Sequence, residues 1–157
     1  MTEGEQRQLD ERNCVVAEAR KWILTPYHNC ADVRGAGVDC GMLIVRVFVD
    51  LGLVSPFDPR PYDPDWMLHR DNEKYLSFFT ERCISVAAPQ QGDIALFRYG
   101  RSYSHGGVVT CVDPVSIVHA SHDAGCVVEE GLQQNPALTD PKRKLAFFSI
   151  WAKKAAA

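Results

Sequence analysis

Residues 39–52 read Asp39-Cys40-Gly41-Met42-Leu43-Ile44-Val45-Arg46-Val47-Phe48-Val49-Asp50-Leu51-Gly52. From Gly41 to Leu51 the run is apolar on nearly every side, interrupted only by Arg46 and Asp50, so a helix here has no face to offer water and belongs near the centre of a domain. Asp39 is suited to cap it and Gly52 to stop it. Cys40 then falls in the first turn, where unpaired N–H groups and the positive end of the helix dipole favour a thiolate, and Gly41 leaves room beside the sulfur. A cysteine next to apolar sequence is more often an inert buried residue, so position alone does not make Cys40 a nucleophile.

Upstream, Val15, Val16, Ala19, Trp22 and Ile23 recur at helical spacing between Arg12 and Leu24, and Thr25-Pro26 ends that helix because proline disfavours helical geometry in the residue before it. A glycine-bearing loop through Asn29, Arg34, Gly35 and Gly37 leads to Asp39. Downstream, Ser55 to Asp65 carries Pro56, Pro59, Pro61 and Pro64 among aspartates and reads as an ordered loop. Helical spacing resumes over Trp66–Phe79. After Pro89 come a Gln91-Gly92-Asp93 turn and β-type runs at Ile94–Tyr99, Gly106–Val112, Ser116–Ala120, Cys126–Glu130 and Leu145–Trp151. Helices first and strands second predict an α+β fold, with an antiparallel sheet of about five strands packed on the central helix. The final Lys153-Lys154-Ala155-Ala156-Ala157 reads as a frayed tail.

At 157 residues, 46% apolar and 24% charged, the chain fits one domain over residues 1–157 with its core at residues 12–151. A formal charge of −3 supplies no global field for nucleic acid. The apolar stretches are too short to span a bilayer, and the first twenty residues mix five acidic side chains with three arginines, unlike a secretory signal peptide. The expectation is a protein that is cytoplasmic as synthesised. Six cysteines without a CxxC pair exclude a zinc ribbon and a thioredoxin-type motif.

A thiol needs a base. His105 stands at the start of a predicted strand in Ser104-His105-Gly106-Gly107-Val108, and His119 lies on the next strand in Val118-His119-Ala120-Ser121. A hairpin places them side by side, where His119 can accept the ring N–H of His105 and leave its other nitrogen to the thiol. The rival use is zinc at His119-x-x-His122 with Cys126 or Cys111, which is disfavoured because an i, i+3 pair at a strand end does not share a face. Glu129 and Glu130 are adjacent on a strand, point to opposite faces and read as solvated. His122, on the following loop, is expected to tolerate alanine.

Four segments in order resemble the NlpC-type cell-wall peptidases, papain-like cysteine hydrolases that cut peptidoglycan stem peptides: Pro26-Tyr27, Asp39-Cys40-Gly41-Met42-Leu43, Gly92-Asp93-Ile94 followed by Ser104-His105-Gly106-Gly107-Val108, and Val118-His119-Ala120-Ser121. The resemblance implies a papain-like domain without metal or cofactor, acting through a thioester on the bond between D-glutamate and the diamino acid. Carried over residue by residue, it makes Cys40 the nucleophile, His105 the general base and His119 the residue that orients it. Tyr27 matches the tyrosine near the nucleophile and Asp39 the aspartate that meets the substrate's amine, with Gly41 and Ser104 in the oxyanion and substrate region. The chain departs from the family pattern in Gly41-Met42, where serine and then glycine are usual. The leaderless start and the Pro/Asp-rich insert resemble the phage-tail branch most, which implies tail proteins as partners and a virion or prophage-bearing cell as setting. Two other functions fit the same residues: a cysteine amidase, transferase or antibacterial effector with another substrate, and a tail-assembly protein with a vestigial site.

Overall fold

Thr2 starts the first helix. Its hydroxyl accepts the Glu5 N–H (3.2 Å) while the Glu5 carboxylate accepts the Thr2 N–H (2.6 Å), and this reciprocal cap launches α1 (Glu3–Arg20). The sequence expectation began this helix at Arg12, where apolar spacing begins. The earlier turns are solvent-facing and need only the cap, while Val15, Val16 and Ala19 bury the far end. The computed structural model describes residues 1–62, 77, 79–99 and 102–157. The helix expected over Trp66–Phe79 lies outside the described residues except for Ser77 and Phe79, both helical.

After α1 the loop forms a small antiparallel hairpin, β1 (Asp32–Val33) with β2 (Gly37–Val38), which sequence reading left as loop. Next comes α2 (Cys40–Asp50), with Asp39 at its N-cap and Gly52 at φ +68° just beyond its end. Eight of its eleven residues are buried, and the two charged ones, Arg46 and Asp50, pair at 2.9 Å on its outer side. The expected all-round burial is met because the sheet covers one side and α1 another.

Among the described residues the sheet has six strands, close to the expected number: β3 (Ile84–Val86), β4 (Ile94–Tyr99), β5 (Ser102–Val112), β6 (Val115–Ser121), β7 (Cys126–Gly131) and β8 (Arg143–Ser149). Its order is β3-β8-β4-β5-β6-β7, antiparallel throughout. The additional strand is a three-residue edge. Between β7 and β8 lie a 3-10 turn (Leu132–Gln134) and the four-residue α3 (Pro136–Thr139). The tail is not frayed: Ser149 caps α4 (Ile150–Ala156), so Trp151 is helical and buried rather than the end of a strand.

Strand alternation divides the sheet's side chains between two clusters. Ile94, Leu96, Val108, Val118, Ala120 and Val127 join α2 in the main core. Ala95, Phe97, Val109 and Ile117 point the other way and are covered by Leu138 of α3. Among the described residues, no helix is long and apolar enough to cross a membrane.

Candidate active site

Cys40 is the first residue of α2, and the cap that places it there is fully engaged. Asp39 accepts the Met42 N–H through Oδ1 (2.8 Å), while its Oδ2 accepts the Cys30 N–H (2.7 Å) and the Tyr62 hydroxyl. Only 2% of Asp39 is exposed. The carboxylate expected to meet a substrate amine is here engaged by groups of its own chain, which joins the helix start to the loop and to the Pro-rich insert. Tyr62, pinned there, has its hydroxyl pKa pushed up by burial first and by the Asp39 charge second.

Tyr27 lines the same cavity as Cys40. Its N–H donates to Gly125 O (2.8 Å), and its neighbours Pro26 and His28 bond Val38, two residues before the cysteine. Burial raises the pKa of its hydroxyl, and the nearby Cys40 charge adds to this.

The two histidines come from the β5–β6 hairpin. His105 Nε2 lies 2.6 Å from His119 Nδ1, and His119 Nε2 lies 2.7 Å from Glu130 Oε1 on β7. Gly107 makes this close approach possible, because a Cβ there would stand 2.8 Å from Val118 O and 3.0 Å from His119 Cβ. Register brings in the carboxylate. Glu130 pairs with Ile117, which shares a face with His119, so the three side chains form a diagonal row across three strands. Burial, then the charges of His119 and Arg143, hold His105 well below its usual pKa. His119 is lowered by burial, which outweighs the opposing pull of Glu130.

Cys40, Tyr27, Ser104, His105 and His119 line one cavity of ≈ 510 Å³, joined by His122, Asp123, Asn135 and Arg143 among others. Gly41 and Asp39 are not part of that wall. Ser104 Oγ is buried and has no hydrogen-bond partner among the described residues. His122, expected to tolerate alanine, lines the same cavity and packs edge-on against Tyr27 at 5.3 Å. The zinc arrangement is not formed, because both ring nitrogens of His119 are engaged by His105 and Glu130.

The residue that sequence reading missed is Glu130, taken as solvated with Glu129. The two do point apart: Glu129 meets Arg20 of α1 at 2.8 Å, and Glu130 meets His119. The signal was the alternation itself, but choosing the inward acid requires the β6–β7 register.

Neither a scan against protein-family models nor a search of curated proteins finds a match. Solved structures do match. The NlpC/p60 domain of the peptidoglycan hydrolase SagA aligns at TM-score 0.56 and 22% identity, covering 86% of this chain and 96% of that one. An N-acetylmuramoyl-L-alanine amidase from Bacteroides uniformis ATCC 8492 aligns at TM-score 0.61 and 12% identity, over 88% and 98%. The chain therefore has the papain-like α+β fold of the NlpC-type cell-wall peptidases. Helix-borne Cys40 and the two strand-borne histidines occur in it at a common cavity.

Proposed function

We propose that this protein is a cysteine hydrolase of peptidoglycan stem peptides, cutting the bond between D-glutamate and the diamino acid. The observation that carries the reading is the cavity shared by Cys40 at a helix start and a hydrogen-bonded His105–His119 pair. A peptidoglycan hydrolase and an amidase among the structural neighbours support the substrate class.

His105 takes the Cys40 thiol proton as sulfur attacks the amide carbonyl carbon. The oxyanion of the tetrahedral intermediate forms at the N-terminus of α2, where backbone N–H groups and the helix dipole favour negative charge, with the Tyr27 hydroxyl on the adjacent wall. Collapse breaks the C–N bond, and the amine leaves with the proton from His105, giving a thioester. Water then attacks the thioester carbonyl while His105 accepts its proton, and that proton returns to sulfur as the carboxylate departs. The setting belonging to this reading is a phage tail, on the ground of the Pro- and Asp-rich insert after α2.

Mass analysis of purified sacculi digested with the wild type and Cys40→Ala tests the function. Expected is release, by the wild type alone, of peptides that begin at the diamino acid, with L-alanyl-D-glutamate left on the glycan strand. Release of intact stem peptides would reassign the bond to that of a muramoyl-alanine amidase, and no release, with Cys40 still trapped by iodoacetamide, would point to a different amide substrate. Detection of the chain in purified virions tests the setting.

A further inference from the structure

We propose that Glu130 is a positioning residue of this site: acting through His119, it selects which ring nitrogen of His105 holds the proton and which is left as the base. The inference rests on the reading of Cys40 and His105 as the reactive pair.

The proton placement follows from donors whose identity is certain. The backbone N–H of Ala137 can only donate, and it donates to Asn135 Oδ1 at 3.0 Å. The other end of that amide is therefore NH₂, and it donates to Glu130 Oε1 at 2.8 Å. The same oxygen faces His119 Nε2. As a carboxylate Glu130 can only accept, so it accepts from both sides and His119 carries N–H at Nε2. Both imidazoles are held toward their neutral forms, which leaves one proton on each ring. Nδ1 of His119 is then a lone pair facing His105 Nε2 at 2.6 Å, so His105 carries its proton on Nε2. Its Nδ1 is left bare as the basic nitrogen. The 3-10 turn and α3, which follow β7, supply Asn135 and so set a tautomer three hydrogen bonds away.

Without an acceptor at position 130, His119 is free to carry its proton on Nδ1. It would then donate to His105 Nε2, push the His105 proton to Nδ1 and remove the base. Glu130→Gln separates tautomer from charge, since its amide oxygen can accept from both Asn135 and His119.

The test is the imidazole ¹⁵N spectrum, in which protonated and bare ring nitrogens resonate apart, together with steady-state kinetics on a stem-peptide substrate. Expected are His105 protonated at Nε2 in the wild type and in Glu130→Gln, and a mixed or reversed tautomer in Glu130→Ala. Turnover of Glu130→Ala should fall about 10- to 100-fold with little change in KM, the scale on which the outer partner of a histidine acts, and Glu130→Gln should recover most of it. A wild-type His105 protonated at Nδ1 overturns the proposal even if Glu130→Ala does not fold, as does a folded Glu130→Ala with wild-type tautomer and turnover. Wild-type protein that shows the expected tautomers but cleaves no stem peptide would refute the hydrolase reading and leave the selection of the tautomer standing.

Discussion

Ser104 Oγ is buried and has no hydrogen-bond partner among the described residues, so a substrate group can supply one. Replacing Ser104 with alanine should therefore raise KM by about 2- to 10-fold, the equivalent of one ordinary hydrogen bond, with turnover little changed. An unaltered KM would make Ser104 a packing residue. The histidines link the site to pH. Both are held below the ordinary imidazole pKa in the folded chain, His105 by burial first and neighbouring positive charge second, so below about pH 6.5 the unfolded chain binds protons that the folded chain refuses. Stability should fall as the pH drops through that value, and urea midpoints at about pH 7.5 and 5.5 should show the loss, which His105→Gln should reduce. A midpoint that does not change with pH would mean that the rings titrate normally. Cys40, His105 and His119 were legible in the sequence because a helix start and a hairpin are local patterns. Glu130 was not, because choosing it over Glu129 requires knowing how β7 pairs with β6. Asp39 was legible as a cap, but its enclosure by Cys30 and Tyr62 depends on loops that converge only in three dimensions.

Among the elements, the β5–β6 hairpin carries the site, and Gly107 is what lets the strands bring the two imidazoles together. A methyl group at 107 would meet the Val118 carbonyl oxygen at 2.8 Å, and a backbone atom within a paired strand cannot swing aside as a flexible side chain does. Gly107→Ala should part the strands locally, costing about 1–3 kcal/mol as overpacking does and lowering turnover by at least tenfold. Full turnover would show that the His105–His119 bond survives the parting. Element order and the five longer strands could be read from the sequence because each has its own turn residues and β-branched run. The edge strand Ile84–Val86 escaped notice because it is short and its first two residues are exposed, which leaves little alternation to detect. The first turns of α1 were missed for a related reason: a capping box and exposed polar residues support them without an apolar face. The tail helix α4 depends on Ser149, whose Oγ accepts the Ala152 N–H at 3.3 Å, and on Lys153 reaching the Thr80 carbonyl, neither of which a Lys-Ala stretch announces.

One buried ion pair ties the first helix to the sheet that holds the histidines. Arg12 of α1 donates to Asp93 Oδ1 at 2.8 Å and to the Gln91 carbonyl at 2.9 Å, and its guanidinium lies 4.1 Å over the ring of Trp151. Asp93 also accepts the Gln90 N–H at 2.8 Å, so the turn entering β4 and both ends of the chain meet at this point. Gly92 stands at φ +87°, and a Cβ there would press on the Arg12 backbone at 3.3 Å, which accounts for glycine beside the aspartate. The Gly92-Asp93-Ile94 segment contributes to the family resemblance, yet in this fold it works as architecture: neither Arg12 nor Asp93 lines the cavity of Cys40. With 5% and 1% of these residues exposed, removing one partner leaves a charge buried and unanswered. Asp93→Ala should therefore cost about 3–5 kcal/mol, lowering the melting temperature by about 6–20 °C, while turnover measured well below the transition stays near wild type. Pairing Asp93→Leu with Arg12→Met replaces both charges by apolar groups and should restore much of the loss, because the penalty lies in the orphaned ion rather than in the missing bond. If the double variant were as unstable as Asp93→Ala, the remaining contacts of Arg12, with Gln91 and Trp151, would be what joins α1 to the sheet.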